Sequence, residues 1–187
     1  SIKYFILNSH QLKKKKVIVV DKPIPGIKGK YGSVCQNFKQ DIYKALEQAL
    51  EPLSKYRKIK IIFPQESHHP KEIKEGLSLF CHQYSFDFEI IRGLSEEVIQ
   101  EGEVYISITE NDLITLVEKV LASQLKVGKQ VGIISYNETP LKKIILEGIT
   151  TISTDFQLMG KQTAQLILEN AKEHIEVPFY LTLRASL

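Results

Sequence analysis

The sequence predicts an α/β fold in which helices cover both faces of a parallel β-sheet. Segments with strand character alternate with segments of helical periodicity along the 187 residues. Several strand segments, such as 59–63 (IKIIF) and 131–135 (VGIIS), are continuous apolar runs, which is typical of strands buried on both faces. With 43% hydrophobic residues, the chain can form one large domain or two small lobes.

Strands are predicted wherever short apolar or β-branched runs lie between turn-forming residues. The predicted strands are 2–7, 17–20, 59–63, 87–91, 104–108, 131–135, 149–153 and 177–183. The stretch 23–32 (PIPGIKGKYG) is rich in proline and glycine, and it predicts a long loop.

Helices are predicted between these strands, where apolar residues recur at helical spacing and mark one buried face. Pro52 ends the first helix, Pro70 opens the second, and Asp155 is placed to cap the last. The stripes are Phe38, Ile42, Ala45, Leu46, Ala49 and Leu50; Ile73, Leu77, Phe80, Cys81 and Tyr84; Leu113, Leu116, Val117, Val120 and Leu121; Leu141, Ile144 and Ile145; and Phe156, Met159, Thr163, Ala164, Ile167 and Ala171.

Composition narrows the class of protein. The net charge of +3 is dispersed, and the single basic run at 13–16 favours a solvated loop over a nucleic-acid patch. Cys35 and Cys81 sit in apolar patterns, which predicts buried thiols in a reducing compartment rather than a disulfide. No apolar run reaches 18 residues, so no membrane span is expected. Because Ser1 leads directly into a strand pattern, we expect the chain to be part of a longer protein.

Polar residues follow four of the predicted strands, at the ends where parallel α/β sheets bind ligands. They are Asp21, then 64–69 (PQESHH), 109–112 (TEND) and 136–139 (YNET). Such a set can make many directional hydrogen bonds to a small polar ligand. An alternative stays open for individual members, since a side-chain oxygen also caps a helix. That alternative applies to Ser67, Asn111, Asp112 and Thr139.

Catalytic and metal-binding patterns are not found in the sequence. His68 and His69 are adjacent, so their side chains diverge, and no further ligand lies at metal-binding spacing. The nucleophile-elbow, P-loop, H-E-x-x-H and dinucleotide-binding motifs do not occur. Glu110 and Asp112 could form an acid–base pair, but nothing indicates a substrate. We therefore expect no enzyme activity, no cofactor and no metal.

The stretch 148–160 (GITTISTDFQLMG) resembles the effector-binding domain of the lac/galactose repressor family. Further segments fit the family in the same order: 19–38, 107–113 (SITENDL), 131–137 (VGIISYN) and 183–186 (LRAS). The stretches 63–76 (FPQESHHPKEIKEG), 134–142 (ISYNETPLK) and 149–156 (ITTISTDF) are closest to a subgroup in which this domain follows a GntR-type winged helix.

The resemblance implies a two-lobed fold of the periplasmic-binding-protein type I, with an incomplete amino-terminal lobe and a ligand cleft between the lobes. The amino-terminal lobe would be residues 1–56 plus 155–176, and the other lobe 57–154 plus 177–187. The segment 151–155 would be one of the crossings between them. The DNA-binding domain is not in this chain.

The resemblance also implies functional residues. Asn111 matches an asparagine that binds sugar hydroxyls, and Asn137 stands where many members have aspartate, with a turn role as the alternative for Asn137. The family's arginine before the helix glycine is Ile73 here, so His68 and His69 are expected to replace it. The implied ligand-binding set is Asn111, Asn137, His68, His69, Glu110 and Thr154. The implied dimer interface contains Leu158, Met159 and Thr163, with core packing as the alternative for Met159.

The leading functional hypothesis is the effector-sensing domain of a cytoplasmic transcriptional regulator. The expected partners are a sugar or sugar derivative, a second copy of the chain, and operator DNA through an amino-terminal domain outside this sequence. The main alternative is a transport-type sugar-binding protein of the same fold, for which a signal peptide upstream and a monomeric state would be expected. An enzyme is the third hypothesis, and turnover of the ligand would identify it.

Overall fold

The computed structural model describes residues 17–27, 30–65 and 68–187. They form two compact units. The smaller unit consists of the described residues up to Asn37 together with Thr154–Pro178, and the larger unit of Phe38–Ser153 and Phe179–Leu187. The predicted strand 2–7 and the basic run 13–16 lie outside the described residues.

The elements alternate between strands and helices, as predicted. In chain order the strands are β1 (Ile18–Asp21), β2 (Gly32–Cys35), β3 (Lys58–Ile62), β4 (Asp87–Ile91), β5 (Glu103–Ser107), β6 (Val131–Tyr136), β7 (Thr150–Thr154), β8 (His174–Glu176) and β9 (Phe179–Thr182). The α-helices are α1 (Phe38–Gln48), α2 (Leu50–Leu53), α3 (Glu72–Tyr84), α4 (Glu110–Ser123) and α5 (Phe156–Glu169). Two 3₁₀ turns cover Pro140–Lys143 and Ile145–Glu147.

Strand prediction succeeded wherever the apolar signal was strong. Within the described ranges every predicted strand is present, with boundaries shifted by two residues or fewer. The prediction missed β2 and β8, which are short and contain Gly32, His174 and Glu176. Both strands form because they pair in parallel with each other in the smaller unit, and intrinsic propensity does not determine them.

The smaller unit has a parallel sheet in the order β1-β2-β8. Its apolar core is formed by Val34, Met159, Leu166 and Val177. The predicted stripe of α5 is therefore partly wrong. Met159 and Leu166 are buried, whereas Phe156 and Ile167 are each 48% exposed.

The larger unit has a sheet in the order β4-β3-β5-β6-β7-β9, and the first five strands pair in parallel. One apolar cluster joins α1 and α3 to one face of the sheet, through residues such as Ile61 and Ile106. A second cluster joins α4 to the other face, through residues such as Ile62 and Tyr105. Side chains alternate between faces along each strand, so helices cover both faces, which confirms the predicted fold class.

The division between the units differs from the predicted lobes at residues 38–56. The sequence placed this segment in the amino-terminal lobe, but α1 packs against α3 in the larger unit. Ile42 and Leu46 are fully buried in the same cluster as Leu77, so the apolar face of α1 decides its location. The two cysteines are buried and free, as predicted.

The predicted fourth helix is not an α-helix. The chain forms two 3₁₀ turns there, and the positive φ angles of Leu146 and Glu147 interrupt helical geometry. Leu141 and Ile144 are 56% and 74% exposed, so the predicted apolar stripe does not face the core. No helix in the described ranges is long and apolar enough to cross a membrane.

Substitution of Gly76 on α3 tests the close packing of α1 and α3. A Cβ atom at Gly76 would lie 2.2 Å from the carbonyl oxygen of Lys39 and 2.5 Å from Cγ2 of Ile42. Because the backbone of α1 cannot move away cheaply, Gly76→Ala should lower the free energy of unfolding by about 1–3 kcal/mol in urea denaturation. Gly93→Ala is the control, since a Cβ there meets nothing within 4 Å. Equal stability of the two variants would contradict the described packing.

Candidate functional site

Three neighbouring strands of the larger unit end at the same edge of the sheet. β5 lies between β3 and β6, and all three run parallel. The chain passes from β3 to β4 on one side and then to β5 on the other, so the strand order changes direction beside β3. Ligands bind at such switch points, beyond the carboxyl ends of the strands. His68 and His69 follow β3, Asn111 follows β5, and Asn137 follows β6.

At the end of β5, Thr109 is the residue that caps α4. Its hydroxyl oxygen accepts a hydrogen bond of 3.1 Å from the amide of Asp112 and donates one of 2.6 Å to the Asp112 carboxylate. This reciprocal arrangement fixes the start of the helix. Asn111 is the second residue of α4 and is exposed, so the capping alternative does not apply to it. Thr139 precedes a 3₁₀ turn without a side-chain capping bond, and Ser67 is outside the described residues.

At the end of β6, the buried side chain of Lys142 forms hydrogen bonds with the main chain. Lys142 is 1% exposed, and its ammonium group donates to the carbonyl oxygens of Tyr136 at 2.8 Å and Asn137 at 2.7 Å. It also forms an ion pair of 2.8 Å with Oε1 of Glu110. The ammonium group has three hydrogens, and these three acceptors match them in number. Sequence reasoning missed Lys142, because it predicted Leu141 and Ile144 as the inward face of this segment.

The backbone of Asn137 is in the left-handed region, with φ of 62°. Asparagine tolerates this conformation better than most residues, which explains the residue type at this turn. Its amide donates a 2.9 Å hydrogen bond to the carbonyl of Ile152 in β7. The main chain of Asn137 is thus held by its amide and by its carbonyl, and its side chain is half-buried.

Glu138 forms an ion pair with Arg184. Its carboxylate accepts bidentate hydrogen bonds from Arg184 at 2.8 and 2.9 Å, and a further one from the hydroxyl of Thr151. Arg184 also donates to the carbonyl of Ile149 at 2.7 Å. Burial by itself raises the pKa of Glu138, but the hydrogen bonds from Arg184 and Thr151 outweigh it and hold that pKa below its usual value. The closing segment 183–186 therefore connects the turn after β6 to the start of β7.

At the end of β3, apolar residues separate the polar loop from the core. Phe63 is 7% exposed, and the ammonium of Lys74 lies 4.5 Å from the centroid of its ring. Ile73, which stands at the position of the family's arginine, is 1% exposed within the core cluster. His68 is exposed and His69 is half-buried. The ring of Tyr136 is buried against Phe179, so it belongs to the core as Phe63 does.

Thr154 belongs to the smaller unit, where it joins a chain of hydrogen bonds. Its hydroxyl donates to Oε1 of Gln36 at 2.5 Å, and Nε2 of Gln36 donates to the Asp21 carboxylate at 2.6 Å. Asp155 accepts a 2.8 Å hydrogen bond from the amide of Leu158, which confirms the predicted cap of α5. The sequence pointed to Asp21 as a strand-end group, but it held no signal for Gln36.

The residues predicted for a dimer interface lie on α5. Met159 is 5% exposed in the apolar core of the smaller unit, which matches the alternative considered for it. Leu158 and Thr163 are half-buried, and the hydroxyl of Thr163 donates to the carbonyl of Met159 at 2.8 Å.

Comparison with solved structures finds the same fold in several proteins that are transcriptional regulators. No family model matches the sequence, and no curated protein matches it. Among solved structures, the chain is similar to a LacI family transcriptional regulator from Enterococcus faecalis V583 with bound ribose, at 21% identity and a TM-score of 0.77, over 98% of this chain and 73% of that chain.

Two further structures support the same fold. The dimeric Lac repressor with an 11-residue C-terminal deletion has 14% identity and a TM-score of 0.78, over 99% of this chain and 73% of that chain. The complex of the transcriptional regulator CelR with cellobiose has 14% identity and a TM-score of 0.71, over 91% of this chain and 58% of that chain. At these identities the similarity establishes the fold, and the two-lobed α/β prediction is confirmed.

The ion pair between Glu138 and Arg184 predicts a specific dependence of stability on pH. The pKa of Glu138 in the folded state lies below its ordinary value of 4.5. The stability that the ionised carboxylate contributes is therefore fully present above the ordinary pKa and is lost as pH falls through the folded-state pKa. Glu138→Gln should lower the free energy of unfolding at neutral pH by about 1.5–3 kcal/mol and remove this part of the acid dependence. Urea denaturation between neutral and acidic pH measures both effects.

The exposed pair of Lys58 and Glu89, with side chains 37% and 48% exposed, provides the control. Lys58→Gln should change the free energy of unfolding by less than about 1 kcal/mol, because water screens that pair. An unchanged acid profile in Glu138→Gln would show that Arg184 does not stabilise the ionised carboxylate.

Proposed function

We propose that this chain is the effector-sensing domain of a bacterial transcriptional regulator and that its effector is a sugar or a sugar derivative. The fold it shares with regulators supports this proposal. Two of the similar structures contain sugars, ribose in one and cellobiose in the other. The resemblance of 107–113 and 131–137 to the family's ligand-binding segments points to the same class of effector.

The convergence of uncharged polar groups at one sheet edge carries the proposal. Asn111, Asn137, His68 and His69 all follow strands that end together there. Amide and imidazole groups both donate and accept hydrogen bonds, so they suit hydroxyl groups, which do the same. The nearby carboxylates of Glu110 and Glu138 are paired with Lys142 and Arg184. This edge therefore favours a neutral polyol over a cationic ligand.

Signalling would follow from a difference in affinity. An effector shifts a conformational equilibrium only if it binds one state more tightly than the other. In the proposed regulator, that shift changes the affinity for operator DNA of an attached winged-helix domain outside this chain. Such a protein would act in the cytoplasm, where its DNA is.

Isothermal calorimetry of the 187-residue chain with a panel of sugars that includes ribose and cellobiose tests the proposed site. Asn111→Ala and Asn137→Gly should each weaken binding by about 5- to 100-fold, which corresponds to about 1–2.7 kcal/mol for a lost hydrogen bond. Glycine is the better replacement at 137, because alanine would add backbone strain at a φ of 62°.

A matched control is Asn170→Gly at the carboxyl end of α5, where Asn170 also has a positive φ, of 54°. This variant makes the same chemical change in the smaller unit and should bind the sugars as the parent chain does. Undiminished affinity in both Asn111→Ala and Asn137→Gly would rule out the site.

The proposal includes self-association through α5. Leu158 and Thr163 are half-buried, and Phe156, Ile167 and Leu168 on the same helix are 48%, 48% and 83% exposed. Exposed apolar area of this kind is common at interfaces between proteins. One similar structure is described as the dimeric Lac repressor.

Sedimentation velocity measures this association. Leu168→Glu should shift the chain from dimer to monomer, since a charge would be buried at the interface without a partner. Leu79→Glu is the control, because Leu79 is 50% exposed on α3 of the larger unit and should leave the oligomeric state unchanged. A dimer of unaltered strength in Leu168→Glu would place the interface elsewhere.

A further inference from the structure

The turn after β6 is built around Lys142, which no comparison or sequence motif assigns to the site. We propose that Lys142 is the positioning residue of the candidate site: its ammonium holds Asn137 in the conformation that aims its amide side chain, and it occupies the Glu110 carboxylate. The ligand-binding part of this inference rests on the proposed function. The effect on the turn itself does not.

The burial of Lys142 indicates that its ammonium group has a structural role. A lysine that is 1% exposed keeps its charge only if acceptors replace the water it has lost. Here the acceptors come from two strand ends, Glu110 beyond β5 and the consecutive carbonyls of Tyr136 and Asn137 beyond β6. Lys142 thus ties the amino end of α4 to the turn that carries Asn137.

The backbone at Asn137 explains how both carbonyls reach one ammonium group. Consecutive carbonyls of an extended strand point in opposite directions, so they cannot converge on a single donor. The φ of 62° at Asn137 turns the second carbonyl toward the first. Asparagine adopts this conformation more readily than most residues other than glycine, and the two hydrogen bonds to Lys142 stabilise it further.

The second consequence concerns charge. The Glu110 side chain is 54% exposed, but its Oε1 faces the ammonium group at 2.8 Å. An ion pair in place reduces the negative potential that a free carboxylate would present to a ligand. Without Lys142, this edge would carry an uncompensated carboxylate beside Asn111, and its preference would move from neutral polyols toward cations.

Amide hydrogen exchange of the 187-residue chain, followed by NMR without added sugar, tests the positioning role. Lys142→Met keeps the aliphatic volume and removes the charge. It should accelerate exchange at the Asn137 amide, which bonds to the carbonyl of Ile152 at 2.9 Å, by at least about tenfold. Amides of β3 and β4, such as those of Ile61 and Ile91, should change far less. Lys142→Arg retains the charge and should restore slow exchange at Asn137.

Lys60 offers a matched control. It is a second buried lysine of the larger unit, 5% exposed and paired with Glu97 at 2.5 Å and Glu103 at 2.8 Å. Lys60→Met removes a buried charge of the same kind, so it should destabilise the unit without a selective effect on Asn137. Glu110→Gln is a milder variant that is expected to fold, because its side chain is half-exposed. It should accelerate exchange at Asn137 by a smaller factor.

Two outcomes overturn the proposal. One is unchanged exchange at Asn137 in Lys142→Met and Glu110→Gln. The other is acceleration at Asn137 that is no greater than at Ile61 and Ile91, or slow exchange that Lys142→Arg fails to retain. Calorimetry with ribose separates this inference from the proposed function. Absence of sugar binding by the parent chain would reject the effector hypothesis, whereas the exchange data decide the role of Lys142 in either case.

Discussion

Parallel pairing in a common register is the constraint on which the candidate site depends. Ile62 of β3 lies opposite Ser107 of β5, and Ser107 lies opposite Ser135 of β6. The hydroxyls of the two serines are joined by a 3.1 Å hydrogen bond in the buried interior. Because the three strands run in the same direction, the chain leaves the sheet three times at nearly the same level. Polar loops from distant parts of the sequence are thereby collected at one edge.

Several charged side chains of the larger unit are neutralised by ion pairs, and this affects which groups at the strand ends carry an unpaired charge. A buried charge needs a partner of opposite charge, and in the described part of the larger unit Lys60, Lys142 and Arg184 each have one. Lys60 is paired with Glu97 and Glu103, and the hydroxyl of Tyr105 lies within hydrogen-bond distance of both carboxylates. The other two pairs, Glu110 with Lys142 and Glu138 with Arg184, lie at the strand ends. Carboxylates that look like ligand groups in the sequence thus have cationic partners within the larger unit.

The chain passes three times between the two units. The passages lie at 37–38, 153–154 and 178–179. Within the smaller unit, Thr154 donates to Gln36, and the amide of Asp155 donates to the carbonyl of Pro178 at 3.2 Å. Residues next to all three passages are therefore bonded to one another. β7 is extended because it pairs with β6, and α5 begins directly after it with Asp155 as its cap.

The sequence by itself determined the features that depend on local pattern. Apolar runs identified β3, β5 and β6, and helical spacing identified α1, α3 and α4. The positions of Asn111 and Asn137 after two of these strands placed both residues at the same edge of the sheet. Other features arise only when distant segments meet. α1 belongs to the larger unit because Ile42 and Leu46 pack in the same apolar cluster as α3. β2 and β8 are strands because they pair with each other. Lys142 became an interior residue because Glu110 and two main-chain carbonyls surround it. A lysine in a polar turn is normally solvated, and only tertiary structure could supply the acceptors that make its burial favourable.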